Sequence, residues 1–161
     1  MKHSIKTGLS FGLTSGIITT LGLMIGLYSS TQSKIAVLGG ILTIAVADSL
    51  SDALGIHVAE ESKKGSNHKD VWQATIVTFA SKFIFALTFI VPVLIFTLQT
   101  AIIVSLIWAV VALSFLSYKI AKSKKENPIK VIFEHLLISA VVVVSTYYIG
   151  QFIALIETTL N

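Results

Sequence analysis

The chain has no cysteine, and all twelve of its Lys and Arg positions are lysines; arginine does not occur. The absence of cysteine removes disulfides, thiolate metal sites and cysteine nucleophiles together. Any metal would have to be held by oxygen or imidazole. Charge is also scarce. Only 12% of the 161 residues are charged, whereas 54% are hydrophobic, and a soluble domain averages about 25% charged residues. A sizeable soluble domain is therefore excluded, and the composition reads as one small integral membrane domain. Catalytic fingerprints are missing as well. There is no P-loop, His-Glu-x-x-His, Gly-x-Ser-x-Gly or dinucleotide motif, so nothing in the sequence asks for an enzyme.

What is present is a series of apolar runs. They predict an all-α, polytopic membrane protein, a single domain over 1–161 with five transmembrane helices at about 8–28, 34–57, 72–98, 100–118 and 131–156. Each is near the ~20 apolar residues that cross a bilayer. The first run exceeds a signal-peptide core of about 7–15 residues and reads as a retained span. Apart from Lys34 and Lys82, the lysines fall in the N-terminal head and in the connections after spans two and four. Lysines at the ends of apolar runs mark membrane topology rather than nucleic-acid contact. By the positive-inside rule the N-terminus is cytoplasmic and the C-terminus outside. For a prokaryotic source the plasma membrane is the expected location. Asn127-Pro128 reads as the N-cap and first residue of span five, and Pro92 should bend span three.

Asp48 and Asp52 are the residues that stand out. A carboxylate inside a span is expensive and by default marks an ion, proton or substrate path. Four residues apart, the two share one helix face. Asp48 lies roughly 21 Å along the helix from Lys34, in the cytoplasmic half of the bilayer, with Asp52 nearer its inner edge. One reading is a divalent-cation site, with Ser49 and Ser51 as secondary oxygen donors. The other is a buried ion pair with Lys82 of span three. Both can hold, the lysine neutralising the empty site.

Three further groups have two readings each. His57, Glu60 and Glu61 share a helix side if span two continues. They form either a mouth that gathers cations or a solvated helix end. Glu134 and His135, one turn into span five, are either proton-coupling or accessory groups, or an acid well placed at a helix N-terminus. Gly8, Gly12 and Gly16, with Gly22 and Gly26, form stripes for close helix packing, within one protomer or between two. Ser15, Thr19 and Thr20 are hydroxyls for packing or for lining a pore.

The string Ser15-Gly16-Ile17-Ile18-Thr19-Thr20, with its Gly-spaced continuation to Leu27, resembles the first helix of the vacuolar iron transporter family. The segment Gly55 to Ser62, Pro92 within Phe85 to Phe96, and the stretch from His135 to Gly150 resemble its second, third and fifth helices. The resemblance implies a homodimer that moves Fe2+ or Mn2+ out of the cytoplasm in exchange for protons, with no permanently bound cofactor. The sequence departs from the pattern. The family's first-helix Asp matches Ser15, and a Glu and a Met of its second helix fall near Thr43 and Ser51. The long cytoplasmic metal-binding helices are reduced to residues 60–70. Without the thioether, an all-oxygen site tilts toward Mn2+, Mg2+ or Ca2+.

Two functions follow. The first is a divalent-cation transporter with Asp48 and Asp52 as ligands. The second is a non-transporting membrane scaffold in which Asp48, Asp52 and Lys82 form a buried polar cluster that fixes helix register.

Overall fold

Apolar runs with only two prolines between them fold as helices joined by short, well-capped turns. A computed structural model describes residues 3–160; Met1 and Lys2 of the basic head lie outside the described residues. The helices are α1 (His3–Thr31), α2 (Lys34–Glu61), α3 (His68–Thr88), α4 (Ile90–Ile95), α5 (Leu98–Lys124) and α6 (Pro128–Leu160). With α3 and α4 counted as one, five helices are long and apolar enough to cross a membrane. The fold is all-α and of the polytopic membrane type.

The turns follow from local chemistry. Ser33 caps α2 by accepting from the Ala36 N–H at 3.3 Å, and Asn67 caps α3 through the Lys69 N–H at 3.1 Å. Lys125 ends α5 in the left-handed conformation, with the Glu126 N–H reaching back to Ala121 O, a Schellman-type stop. Asn127 Oδ1 then accepts from the Ile129 N–H at 3.0 Å, and α6 begins at Pro128.

Span three differs from the expected 72–98. It is interrupted at Phe89 and ends at Ile95. Pro92 has no N–H to give Thr88 O and crowds that carbonyl, so the ladder slips, with the Phe89 N–H bonding Ala86 O at 3.2 Å. Trp108 of α5 braces the break by donating to Thr88 Oγ1 at 3.1 Å. Lys34 donates to Leu94 O and Phe96 O, capping the C-terminus of α4.

α1 is the central helix and packs on α2, α3, α5 and α6. Its glycines make this possible. A Cβ at Gly8 would lie 2.5 Å from Ala74 O, and one at Gly12 would lie 2.6 Å from Thr78 O. The first stripe is thus spent on α3 within the protomer. Gly22 and Gly26 instead face Val142 and Thr146 of α6. The start of α1, the α2–α3 turn and the α5–α6 turn share one end of the bundle, where Ser4 bonds Gln73 and Ser117 bonds His135.

Candidate functional site

α1, α2 and α3 meet at a polar point inside an otherwise apolar bundle. Lys82 of α3 is only 1% exposed, and its ammonium is paired with both Asp48 and Asp52 of α2. The Asp52 contact is 2.5 Å. The lysine also donates to Ser15 Oγ of α1 at 2.9 Å. An ammonium has three N–H donors, and here all three have partners. α1 supplies two further hydrogen bonds. Ser15 Oγ donates to Asp52 Oδ2 at 2.6 Å, and Thr19 Oγ1 donates to Asp48 Oδ2 at 2.9 Å.

Backbone proximity makes the arrangement possible. A Cβ at Gly16 would lie 3.2 Å from Lys82 Cγ and 3.3 Å from its Cα, so glycine lets α3 bring the lysine across α1 to the acids. The bonds all fall on the Oδ2 atoms. Among the described residues neither Oδ1 receives a protein donor. The acids keep an open edge, 30% exposed at Asp48 and 20% at Asp52. Two carboxylates and one ammonium carry a net charge of −1. The donors are all oxygens, which suits a hard cation.

The other expected residues are dispersed. Ser51 is exposed and makes no hydrogen bond to either acid, while Ser49 is fully buried with its hydroxyl unpartnered. The hydroxyls at the acids come from α1 instead. Of the three α1 hydroxyls, Ser15 and Thr19 join the site, and Thr20 is buried in the core without a partner. α2 does continue to Glu61, yet its end does not form one cluster. His57 Nδ1 lies 3.0 Å from Thr75 Oγ1, and its ring meets Trp72 edge-on. Glu60 pairs with Lys63 at 2.5 Å, and Glu61 is exposed.

At the start of α6, Glu134 and His135 diverge. Glu134 faces Lys130 at 3.9 Å with both side chains more than half exposed, whereas His135 Nδ1 lies 2.7 Å from Ser117 Oγ. Thr75 and Ser117 already donate to Val71 O and Leu113 O. With those hydroxyl protons so engaged, each hydroxyl oxygen can accept a hydrogen bond from the imidazole beside it.

Among the described residues, no group of three or more His, Asp or Glu side chains is arranged to hold a metal ion. A cavity of about 440 Å³ opens at the Lys-rich end, lined by His3, Glu60, Lys63, Lys64 and Asp70 among others. A second, of about 240 Å³, is an apolar cleft between α1 and α6. Neither includes Asp48 or Asp52.

In comparisons with known proteins, the profile described as the VIT family, that of the vacuolar iron transporters, matches residues 56–151. The matched stretch contains His57, Glu60, Glu61, Lys82, Glu134 and His135; α1 and the two α2 acids precede it. No curated protein matches the chain.

Proposed function

The chain belongs to the VIT family, and from that premise we propose that it carries divalent cations of the Fe2+ or Mn2+ type across the bilayer, with Asp48 and Asp52 as the intramembrane ligands. Family membership and the five apolar helices support a metal-ion transport role in general. The particular reading rests on one observation: two carboxylates on one face of α2 converge on a single point, ringed by oxygens from α1. Ser15 occupies the position that corresponds to the family's first-helix acid in the resemblance. Its hydroxyl touches Asp52, so α2 supplies negative charge to the spot where α1 has lost it.

Cargo leaves the cytoplasm in exchange for protons in this reading, with the N-terminus and the Lys-rich turns on the cytoplasmic side. Glu60, Glu61 and His57 attract cations at that end. His135 and Glu134 are the accessory proton groups.

The unit is a homodimer. Gly39, Thr43, Ala47, Ser51, Gly55 and Ala59 recur every fourth residue on the exposed face of α2. A Cβ at Gly39 or Gly55 would meet nothing within 4 Å. Such a stripe suits close approach of another helix, and its residues are exposed among the described residues of the protomer.

Metal flux into proteoliposomes tests the reading. Wild-type protein takes up Mn2+, and Asp48→Asn with Asp52→Asn abolishes uptake; wild-type flux in the double variant would rule these acids out. The position of Lys82 between the acids also favours a second reading, a scaffold that kept the fold and lost the ion path. A thermal-shift titration separates the two. A transported ion stabilises the folded protein as its concentration passes through its dissociation constant. No shift with Fe2+, Mn2+, Zn2+, Co2+, Mg2+ or Ca2+ favours the scaffold.

A further inference from the structure

We propose that Lys82 is a tethered counter-ion, its ammonium occupying the place a cargo cation must take at Asp48 and Asp52, so that ammonium and cation exclude each other there. The proposal rests on the reading of the two acids as cation ligands. Its own ground is the geometry of the lysine. Nζ is bonded to both acids and to Ser15 Oγ, a set of oxygens that would serve a small cation equally well. Thr19 steadies the Asp48 carboxylate from the side, as it would in a metal-bound state.

Charge makes the two occupants exclusive. With the ammonium present the cluster is −1, and a divalent cation added to it would leave +1. Without the ammonium, the same cation neutralises the pair. Inside a bilayer, where like charges a few ångströms apart repel far more than in water, the ammonium and a divalent cation do not share the site. Lysine suits the task because its charge sits on a flexible four-carbon stem.

The enclosure of Lys82 and the open edge of the acids give the two cations different approaches. Cargo reaches the carboxylates from the exposed side, and the lysine from within the bundle. A consequence follows for the empty carrier. When cargo leaves, the returning ammonium spares the bilayer a bare pair of carboxylates, which would otherwise be costly. The resting site is compensated by the chain itself.

The test compares wild type with Lys82→Met, Lys82→Arg and the triple variant Asp48→Asn, Asp52→Asn, Lys82→Met, each as the full chain in detergent micelles. Mn2+ is the probe, and its binding is read by electron paramagnetic resonance. Lys82→Met binds Mn2+ at least tenfold more tightly than wild type. Lys82→Arg, which keeps the charge, shows no gain, and the triple variant loses the gain.

Lys82→Met with wild-type affinity overturns the proposal, as does a gain that persists in the triple variant. If Lys82→Met aggregates without metal, Mn2+ present throughout expression and purification restores a monodisperse protein; aggregation despite Mn2+ also overturns it. The transport reading fails separately. Tight Mn2+ binding by Lys82→Met with no wild-type flux keeps the counter-ion and removes transport. Flux abolished by the two Asp→Asn changes, with no gain in Lys82→Met, does the reverse.

Discussion

Asp52 and Glu134 each face a lysine, and the two pairs differ in almost every other respect. Lys82 and Asp52 are 2.5 Å apart, with the lysine 1% exposed, and they share Ser15 as a third partner. Lys130 and Glu134 are 3.9 Å apart, 75% and 54% exposed, and lie one turn apart on a single helix. In water the second pair gives up little when it breaks, because solvent takes over each charge. In the bundle Lys82 is enclosed and the acids are only 30% and 20% exposed, so solvent compensates little and a charge left without its partner is strongly destabilising. A lysine–carboxylate pair is therefore a structural commitment at mid-helix and close to neutral for stability at the Lys-rich end.

The largest difference is expected on removal of the two lysines. Without divalent cations, Lys82→Met should lose about 3–5 kcal/mol of stability, and Lys130→Met no more than about 1 kcal/mol. Unfolding in detergent with a chelator present measures both, and equal stability of the two variants would erase the distinction. Next come the serines. Ser15→Ala removes hydrogen bonds to two charged groups and should cost about 1.5–3 kcal/mol. Ser51→Ala, on the exposed face, should stay within about 0.5 kcal/mol. A costly Ser51→Ala would mean that the acids are turned toward that face.

The glycine stripes extend the contrast to packing. Gly12→Ala drives a methyl into Thr78 O and Ser81 and should cost about 1–3 kcal/mol through overpacking. Gly39→Ala meets nothing in the protomer and should be neutral or stabilising by about 0.5–1 kcal/mol. A bulky Gly39→Leu should instead lower the dimer fraction in cross-linking or size-exclusion measurements, if the α2 stripe is where two copies meet. The smallest effect is at Thr20, whose buried hydroxyl has no partner. Thr20→Val keeps the shape and should be neutral or slightly stabilising in the same unfolding assay.

Much of this was legible in the sequence because it depended on long apolar runs and strong local signals. The helical class, the Asn127-Pro128 start of α6 and the bend near Pro92 are of that kind. Lys82 as partner of the acids was legible from depth alone, since antiparallel helices bring residues at equal depth together. What the sequence left open depends on angle or on tertiary contact: it marks Ser15 and Thr19 as hydroxyls for packing or a pore, but not as partners of the acids. Ser49 and Ser51 adjoin the acids in sequence, but about 100° per residue turns them to other faces. Ser15 and Thr19 lie more than thirty positions from Asp48 and Asp52 in three of four pairings, and only the Gly-lined approach of α1 brings them in. The turn at Phe96 and Thr97 carries neither Gly nor Pro, so hydropathy runs through it and the apolar run extends past the end of the helix at Ile95.

Crystals grown with Mn2+ and measured at the manganese absorption edge test the central claim most directly. The account predicts an anomalous peak between the carboxylates of Asp48 and Asp52, with the Lys82 ammonium displaced from them. A peak confined to the Lys-rich end, with Lys82 still bonded to both acids at saturating Mn2+, would contradict it.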